Sequence, residues 1–388
     1  MICTLFQRGA CRPNRVVRFI AVVVLALLVL MVASCIGRES APEGKSVALK
    51  YSTLLKIDSC KDFRLVRVLN PWKDGAILHA YALVDSGKSL PRGIPRGATI
   101  LKVPLRDLCV STSVHVNLLL QLHALENVGS ICEGQYILSD SIQHAIRKGN
   151  IRDVGSALNP SVERIVSAGT QALLLSPFEG TGFGALEKTG IPIVECADYM
   201  ATSALGRAEW MKFYGMLVGR EKEADSLFCV VEKNYMRLKA AAANPKVRPK
   251  LLVDMLNGNT WYMAGGRSIY GQLYRDCGAD YSVASPNVSG SEAMSLEKVM
   301  LSAIDADVWI VKYGRSRDYT LASFAKDNAA YPKFRAFQRG QVYGCNTQYI
   351  PFYDEAPFRP DLLMQDIIRI LHPRILPPAP LRFYSKLR

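Results

Sequence analysis

The chain has 388 residues, a formal charge of +14 and 49% hydrophobic residues. That length accommodates two domains of ordinary size, with a core large enough to need no disulfide staples. The positive charge is scattered, with no run of five or more basic residues, which speaks against nucleic-acid binding and for an acidic ligand or an anionic membrane surface.

In chain order, the first 18 residues carry Arg8, Arg12, Arg15 and Arg18 and no acid, and residues 19–33 are unbrokenly apolar. A basic head before a short apolar run marks a secretory signal peptide, and the run is shorter than the ~20 residues of a spanning helix. Val32-Ala33-Ser34-Cys35 resembles the bacterial lipobox. The expectation is a signal peptide at 1–34, acylation of Cys35 and a flexible tether at 35–46. The folded part then lies in the cell envelope, lipid-anchored and facing the periplasm or exterior. An uncleaved anchor helix is the competing reading and puts the chain on the same side of the membrane. Removing the segment leaves about 354 residues and lowers the net charge to +10. Of ten cysteines, seven remain beyond Cys35, with no C-x-x-C pair among them. An odd, scattered set fits neither a zinc site nor a disulfide scaffold, and most are expected to be small buried hydrophobes.

Short β runs then alternate with helical periods. Strands are expected at 63–68, 77–84, 99–103 and 108–110, a helix at 115–125, and buried strands at 171–175 and 191–194. A helical block covers 203–243: Ser203 stands at an N-cap position, Gly219 offers a stop, and Ala224, Leu227, Phe228, Val231, Tyr235 and Leu238 recur on one face. Further strands are expected at 251–253, 308–311 and 341–343. Strands alternating with helices predict parallel α/β layers. An internal echo links Ser161-Val162-Glu163-Arg164-Ile165-Val166 to Ser295-Leu296-Glu297-Lys298-Val299-Met300, each shortly before an apolar strand. Helix-dipole complementation alone accounts for a Glu in each first turn.

Four stretches carry a family resemblance: residues 155–166 (GSALNPSVERIV), Gly206-Arg207-Ala208-Glu209-Trp210 with Phe213, Trp261-Tyr262 before Gly265-Gly266, and Arg359-Pro360-Asp361-Leu362 leading to His372-Pro373. From about residue 105 onward the chain resembles substrate-binding proteins of ABC importers for vitamin B12, ferric siderophores and haem; residues 47–104 match less clearly. The resemblance implies two Rossmann-like lobes (47–202 and 220–388) joined by a single long helix at 203–219, with a ligand cleft between them. It implies limited closure on binding, no enzymatic activity, and no cofactor other than iron or cobalt within the transported ligand. It also implies an ABC permease dimer as partner, docked through Glu163 and Glu297. Cleft residues are expected on loops at the carboxyl ends of the strands: Thr112, His115, Ser176, Phe178, Trp261, Tyr262, Tyr313 and Arg315, with Asn346 and Tyr349 beyond them. Aromatics suit a macrocycle or catechols, Arg315 suits an anionic group, and His115 or Tyr262 could ligate haem iron.

Two other readings stand beside this one. Gly180-Thr181-Gly182-Phe183-Gly184-Ala185 fits G-x-G-x-x-A after a strand, the outline of a dinucleotide-binding oxidoreductase. Three residues separate the glycines from that strand, and the room for a crossover helix is small. The other is a chelate-scavenging lipoprotein without a permease, for which Glu163 and Glu297 would have no partner.

Overall fold

The computed structural model describes residues 44–388; Cys35 and the signal segment lie outside the described residues. Five strands come first: β1 (Gly44–Val47), β2 (Leu55–Cys60), β3 (Arg64–Leu69), β4 (Ile77–Asp85) and β5 (Thr99–Val103). They form one sheet in chain order, antiparallel except for the parallel β4–β5 pair. Alternation decides its faces. Leu55, Ile57, Val66, Val68, Tyr81, Leu83, Leu101 and Val103 join the main core, while Leu65, Ala82 and Val84 point the other way with Phe63. The span expected as one α/β lobe, 47–202, thus holds this separate sheet as well as the parallel one.

The next strands are β6 (Leu108–Val110), β7 (Val128–Ile131), β8 (Arg152–Asp153), β9 (Leu173–Leu175) and β10 (Ile193–Glu195). All pair in parallel in the order β10-β9-β6-β7-β8. β6 and β9 are buried at every residue, the continuous apolar run that a strand covered on both faces requires. The chain builds outward from β6 to β8, then returns to the other side of β6, so the order reverses between β6 and β9.

The second half contributes β11 (Leu251–Val253), β12 (Leu256–Asn257), β13 (Thr260–Ala264), β14 (Ser291–Met294), β15 (Val308–Tyr313), β16 (Val342–Asn346) and β17 (Ser385–Lys386). β11, β15 and β16 are parallel neighbours with β17 antiparallel at the edge; β12, β13 and β14 make a small antiparallel sheet. Two parallel sheets with helices between them give the expected α/β architecture.

The connection differs in detail from the helix expected at 203–219. It is divided into Ala204–Ala208 and Met211–Val218, and the long helix is the next one, Glu221–Ala241, entered after Gly219 in the left-handed region. The break has a tertiary cause. Glu209 is fully buried, and its carboxylate accepts backbone N–H groups from Lys50, Tyr51 and Ser52 at 2.8–2.9 Å. Around it the backbone tightens, with Trp210 and Lys212 donating to carbonyls three residues back.

The 21-residue helix is about 32 Å long at 1.5 Å per residue. It buries Ala224, Phe228, Val231, Tyr235 and Leu238 on one stripe. Glu221 at its start and Glu232 near its middle bond Arg64 and Lys50 of the first sheet region. Nearer its end Asn234 bonds Asp361, and Tyr235 bonds Asp276, in the second half. It is therefore a strut fastened to both halves. Five of the seven described cysteines are buried and all seven are free thiols, as expected for small hydrophobes.

Candidate ligand cleft

In an open parallel sheet the ligand crevice lies beyond the carboxyl ends of the strands, where the strand order reverses. Here those ends are β6 and β9. Ser111 and Thr112 follow β6; Ser176, Pro177 and Phe178 follow β9. Ser111, Thr112, Ser176 and Phe178 line a cavity of about 440 Å³ with Leu158, Asn159, Pro160 and Phe183. Its rim exposes large apolar side chains, Phe178 at 58% and Leu158 at 92%.

The second half presents a matching mouth of about 540 Å³ beyond β11 and β15, lined by Asp254, Tyr262, Lys312, Tyr313, Arg315, Tyr319 and Tyr353. Tyr262 is 51% exposed there. Arg315 donates to Tyr319 Oη at 2.8 Å, pairs with Asp327 at 3.2 Å, and stands 4.6 Å from the centre of the Tyr319 ring. The Tyr319 hydrogen bond, with the Asp327 charge, raises the guanidinium pKa. The loop is locked from behind by Asn346, which accepts from the Arg315 N–H and donates to the Arg315 carbonyl. Asp254 and Lys312 form an ion pair at the floor. Burial works to lower the Lys312 pKa, but the Asp254 carboxylate outweighs it and holds the ammonium above its ordinary value. Four tyrosines around a fixed cation and an ion pair make a surface for a flat or aromatic ligand carrying negative charge.

Among the expected ligand contacts, Trp261 and His115 are buried away from the cleft. Trp261 is fully buried on β13, with its indole N–H donating to the Val253 carbonyl at 2.9 Å and its ring stacked on Trp309, so it is core. His115 is 2% exposed, and both ring nitrogens are occupied: Nδ1 by Thr112 Oγ1 at 2.5 Å, Nε2 by Asp198 at 2.8 Å and Tyr214 Oη at 3.1 Å. No nitrogen is left to ligate haem iron. Asp198 also takes Arg207 Nε at 2.9 Å. Burial works to raise its pKa, yet the charges of His115 and Arg207 hold the carboxyl well below the usual range. Phe358, from the second half, packs against His115 and Tyr214 at ring separations of 6.1 and 6.0 Å. This group is a junction between the halves, beneath the cleft.

Tyr349 lines a separate cavity of about 420 Å³ with Asn117 and Arg359. Asp254, Lys312 and Tyr353 are cleft residues that sequence reading passed over. The signal for the first two was a charged residue ending or interrupting an apolar strand: Asp254 directly after Leu251-Leu252-Val253, and Lys312 within Val308–Tyr313.

Glu163 and Glu297 occupy equivalent positions. Each is the second residue of its helix, Val162–Ser167 and Leu296–Ala303, is exposed, and follows a serine N-cap whose hydroxyl accepts the third backbone N–H at 3.3 Å. Each helix leads back to a parallel strand, β9 or β15, so both carboxylates stand at the carboxyl-end edge of their sheets. Hydrogen bonds from its own backbone and from Ser295 hold Glu297 below the ordinary carboxylate value.

The glycines of residues 180–185 do not open an α-helix. Gly180 and Gly184 take positive φ in a loop, and the next element is a single 3-10 segment, Gly184–Thr189. A phosphate cradle needs backbone N–H groups at a helix N-terminus, and the geometry lacks one.

Comparison with known proteins agrees with this geometry. The sequence pattern of the periplasmic binding protein family matches residues 119–349, and the chain belongs to that family. It is a binding protein and not an enzyme. An uncharacterized lipoprotein of Methanocaldococcus jannaschii is 27% identical over 302 residues, 74% of this chain and 70% of that protein. A periplasmic haem-binding protein of Pseudomonas aeruginosa superposes with a TM-score of 0.56 at 16% identity, covering 73% of this chain and 99% of that one. A possible iron-binding, periplasmic solute-binding protein of Staphylococcus epidermidis gives 0.54 at 17% identity, covering 68% and 98%.

Proposed function

We propose that this chain is the capture component of an ABC importer for an iron chelate, a ferric siderophore or haem, held in the cell envelope by acylated Cys35. The observation that carries the reading is the pair of mouths at the carboxyl ends of β6/β9 and β11/β15, one apolar around Phe178 and one built of tyrosines around Arg315. Binding of haem by the Pseudomonas protein and the iron description of the Staphylococcus protein support the ligand class. The lipoprotein relative supports the anchor and an envelope location. Iron, or cobalt if the cargo is cobalamin, enters only with the cargo, without a resident cofactor. Arg315 and Lys312 meet the anionic part of the chelate, while Tyr262 and Phe178 cover its faces from the two halves. Glu163 and Glu297, one per half, present carboxylates to basic sockets on a permease dimer.

The test is a visible-absorbance titration of the purified protein with haem, a ferric catecholate, a ferric hydroxamate and cobalamin. The proposal expects saturable, stoichiometric spectral change with one iron chelate at micromolar or lower concentration. No change with any of them would remove the assignment of cargo while leaving the family unaffected.

A further inference from the structure

The charge of this chain is concentrated where the family match does not reach. Residues 44–104 hold eleven Lys and Arg against four Asp, a net of +7, whereas residues 105–388 hold a net of only +4. Two of these cations, Lys50 and Arg64, face inward to Glu232 and Glu221 of the long helix. Strand alternation puts others on the opposite face of the β1–β5 sheet: Lys56 on β2, Arg67 on β3 and Lys102 on β5, each next to residues that join the main core. The β4–β5 loop, residues 86–98, lies over that same face, since Ile94 and Ala98 seat on Phe63, Leu65, Ala82 and Val84. That loop adds Lys88, Arg92 and Arg96. Against these six cations stand Asp58, which pairs with Arg67, Asp85, which pairs with Lys88, and Asp62, whose charge also acts on Lys88. Between Lys88 and Arg92 the loop exposes Leu90 at 59%. An exposed aliphatic flanked by cations suits an interface where the apolar group enters the headgroup layer and the charges meet anionic lipid.

Gly44, which opens β1, is nine residues from Cys35, at most about 32 Å of fully extended chain. We infer that the outer face of the β1–β5 sheet, with its 86–98 loop, docks on anionic lipid headgroups of the membrane that carries the anchor. The inference takes the anchor at Cys35 from the proposed function; the affinity of the face for lipid is tested without it.

The experiment uses unacylated chain from residue 36 onward, whose described residues form one compact unit. Co-sedimentation is measured with phosphatidylcholine vesicles, alone or with about one-third phosphatidylglycerol, at about 0.1 M and 0.5 M salt, where screening differs strongly. Binding is expected to the anionic vesicles only, and to be largely lost at the higher salt. Each basic residue at such a surface strengthens binding about five-fold. The triple variant Lys56→Gln, Arg92→Gln, Lys102→Gln should therefore bind about a hundred-fold more weakly, with an unchanged circular dichroism spectrum. A control removing three charges elsewhere (Lys222→Gln, Lys326→Gln, Lys333→Gln) should lose far less. Equal binding to neutral vesicles, an equal loss in the control, or capture on isolated permease with no vesicle binding would each overturn the inference. Fatty-acid labelling at Cys35 is read separately, so failure of the anchor is distinguishable from failure of the face.

Discussion

Replacing Asp198 with Asn tests the buried polar cluster against which Phe358 of the second half packs. The carboxylate is fully buried and serves three partners at once, His115 Nε2 and Tyr214 Oη at 2.8 Å and Arg207 Nε at 2.9 Å. Asn keeps the shape but removes the charge, leaving the Arg207 guanidinium without a counter-ion in a mostly buried site. Breaking one side of a buried pair in this way costs about 3–5 kcal/mol. Unfolding entropy near 2.1 cal/mol/K per residue gives about 0.7 kcal/mol/K for the residues of the folded unit, so Tm should fall by about 4–7 °C in calorimetry at neutral pH. The pH dependence has a definite sign. A carboxyl depressed in the folded state contributes its stability above its unfolded pKa, near 4, and loses it as pH falls toward the folded value. The gap between the native chain and Asp198→Asn should therefore shrink at about pH 3. A loss below about 1 °C at neutral pH, or a gap that widens in acid, would refute the argument.

Glu163→Ala and Glu297→Ala should leave chelate affinity within a few-fold and lower uptake in cells, most in the double variant; a carboxylate buried against a permease cation is worth about 2–5 kcal/mol. Normal uptake with a small loss of thermal stability would reduce both to helix-cap residues. Phe228→Ala, on the buried stripe of the strut, should cost about 3–5 kcal/mol by denaturant titration, and a loss below about 1 kcal/mol would show that the strut is not tightly packed. Cys35→Ser should abolish incorporation of a clickable fatty acid and release the protein from membranes; retained label would place acylation elsewhere.

Much of this architecture is legible from local pattern. Leu173-Leu174-Leu175 and Leu251-Leu252-Val253 announce strands buried on both faces, and the stripe from Ala224 to Leu238 announces the long helix. Ser161 and Ser295 are helix caps readable from their spacing to the following apolar residues, which is why Glu163 and Glu297 fall at matched positions. What sequence hides is long-range partnership. His115 reads as a candidate ligand until Asp198, 83 residues later, and Tyr214, 99 residues later, close on its ring. Nothing near Glu209 signals that three amides from residues 50–52 will cap its carboxylate and divide the helix. Trp261 looks the same on paper whether it stacks on a ligand or on Trp309, because alternation on a short strand does not say which face meets the core. Lys312 is the reverse case, a charge in an apolar strand whose counter-ion, Asp254, lies at the end of the neighbouring strand.

The central claim is that one ligand is held between the two mouths. Chelate affinity measured in Phe178→Ala, Tyr262→Ala and the double variant tests it most directly, because these exposed rings belong to different halves and to neither core. Each single loss should weaken binding about ten-fold, equivalent to about 1.4 kcal/mol, and the double variant should lose at least as much as the two together. Affinity unchanged in both single variants would contradict the account and move the ligand out of the cleft.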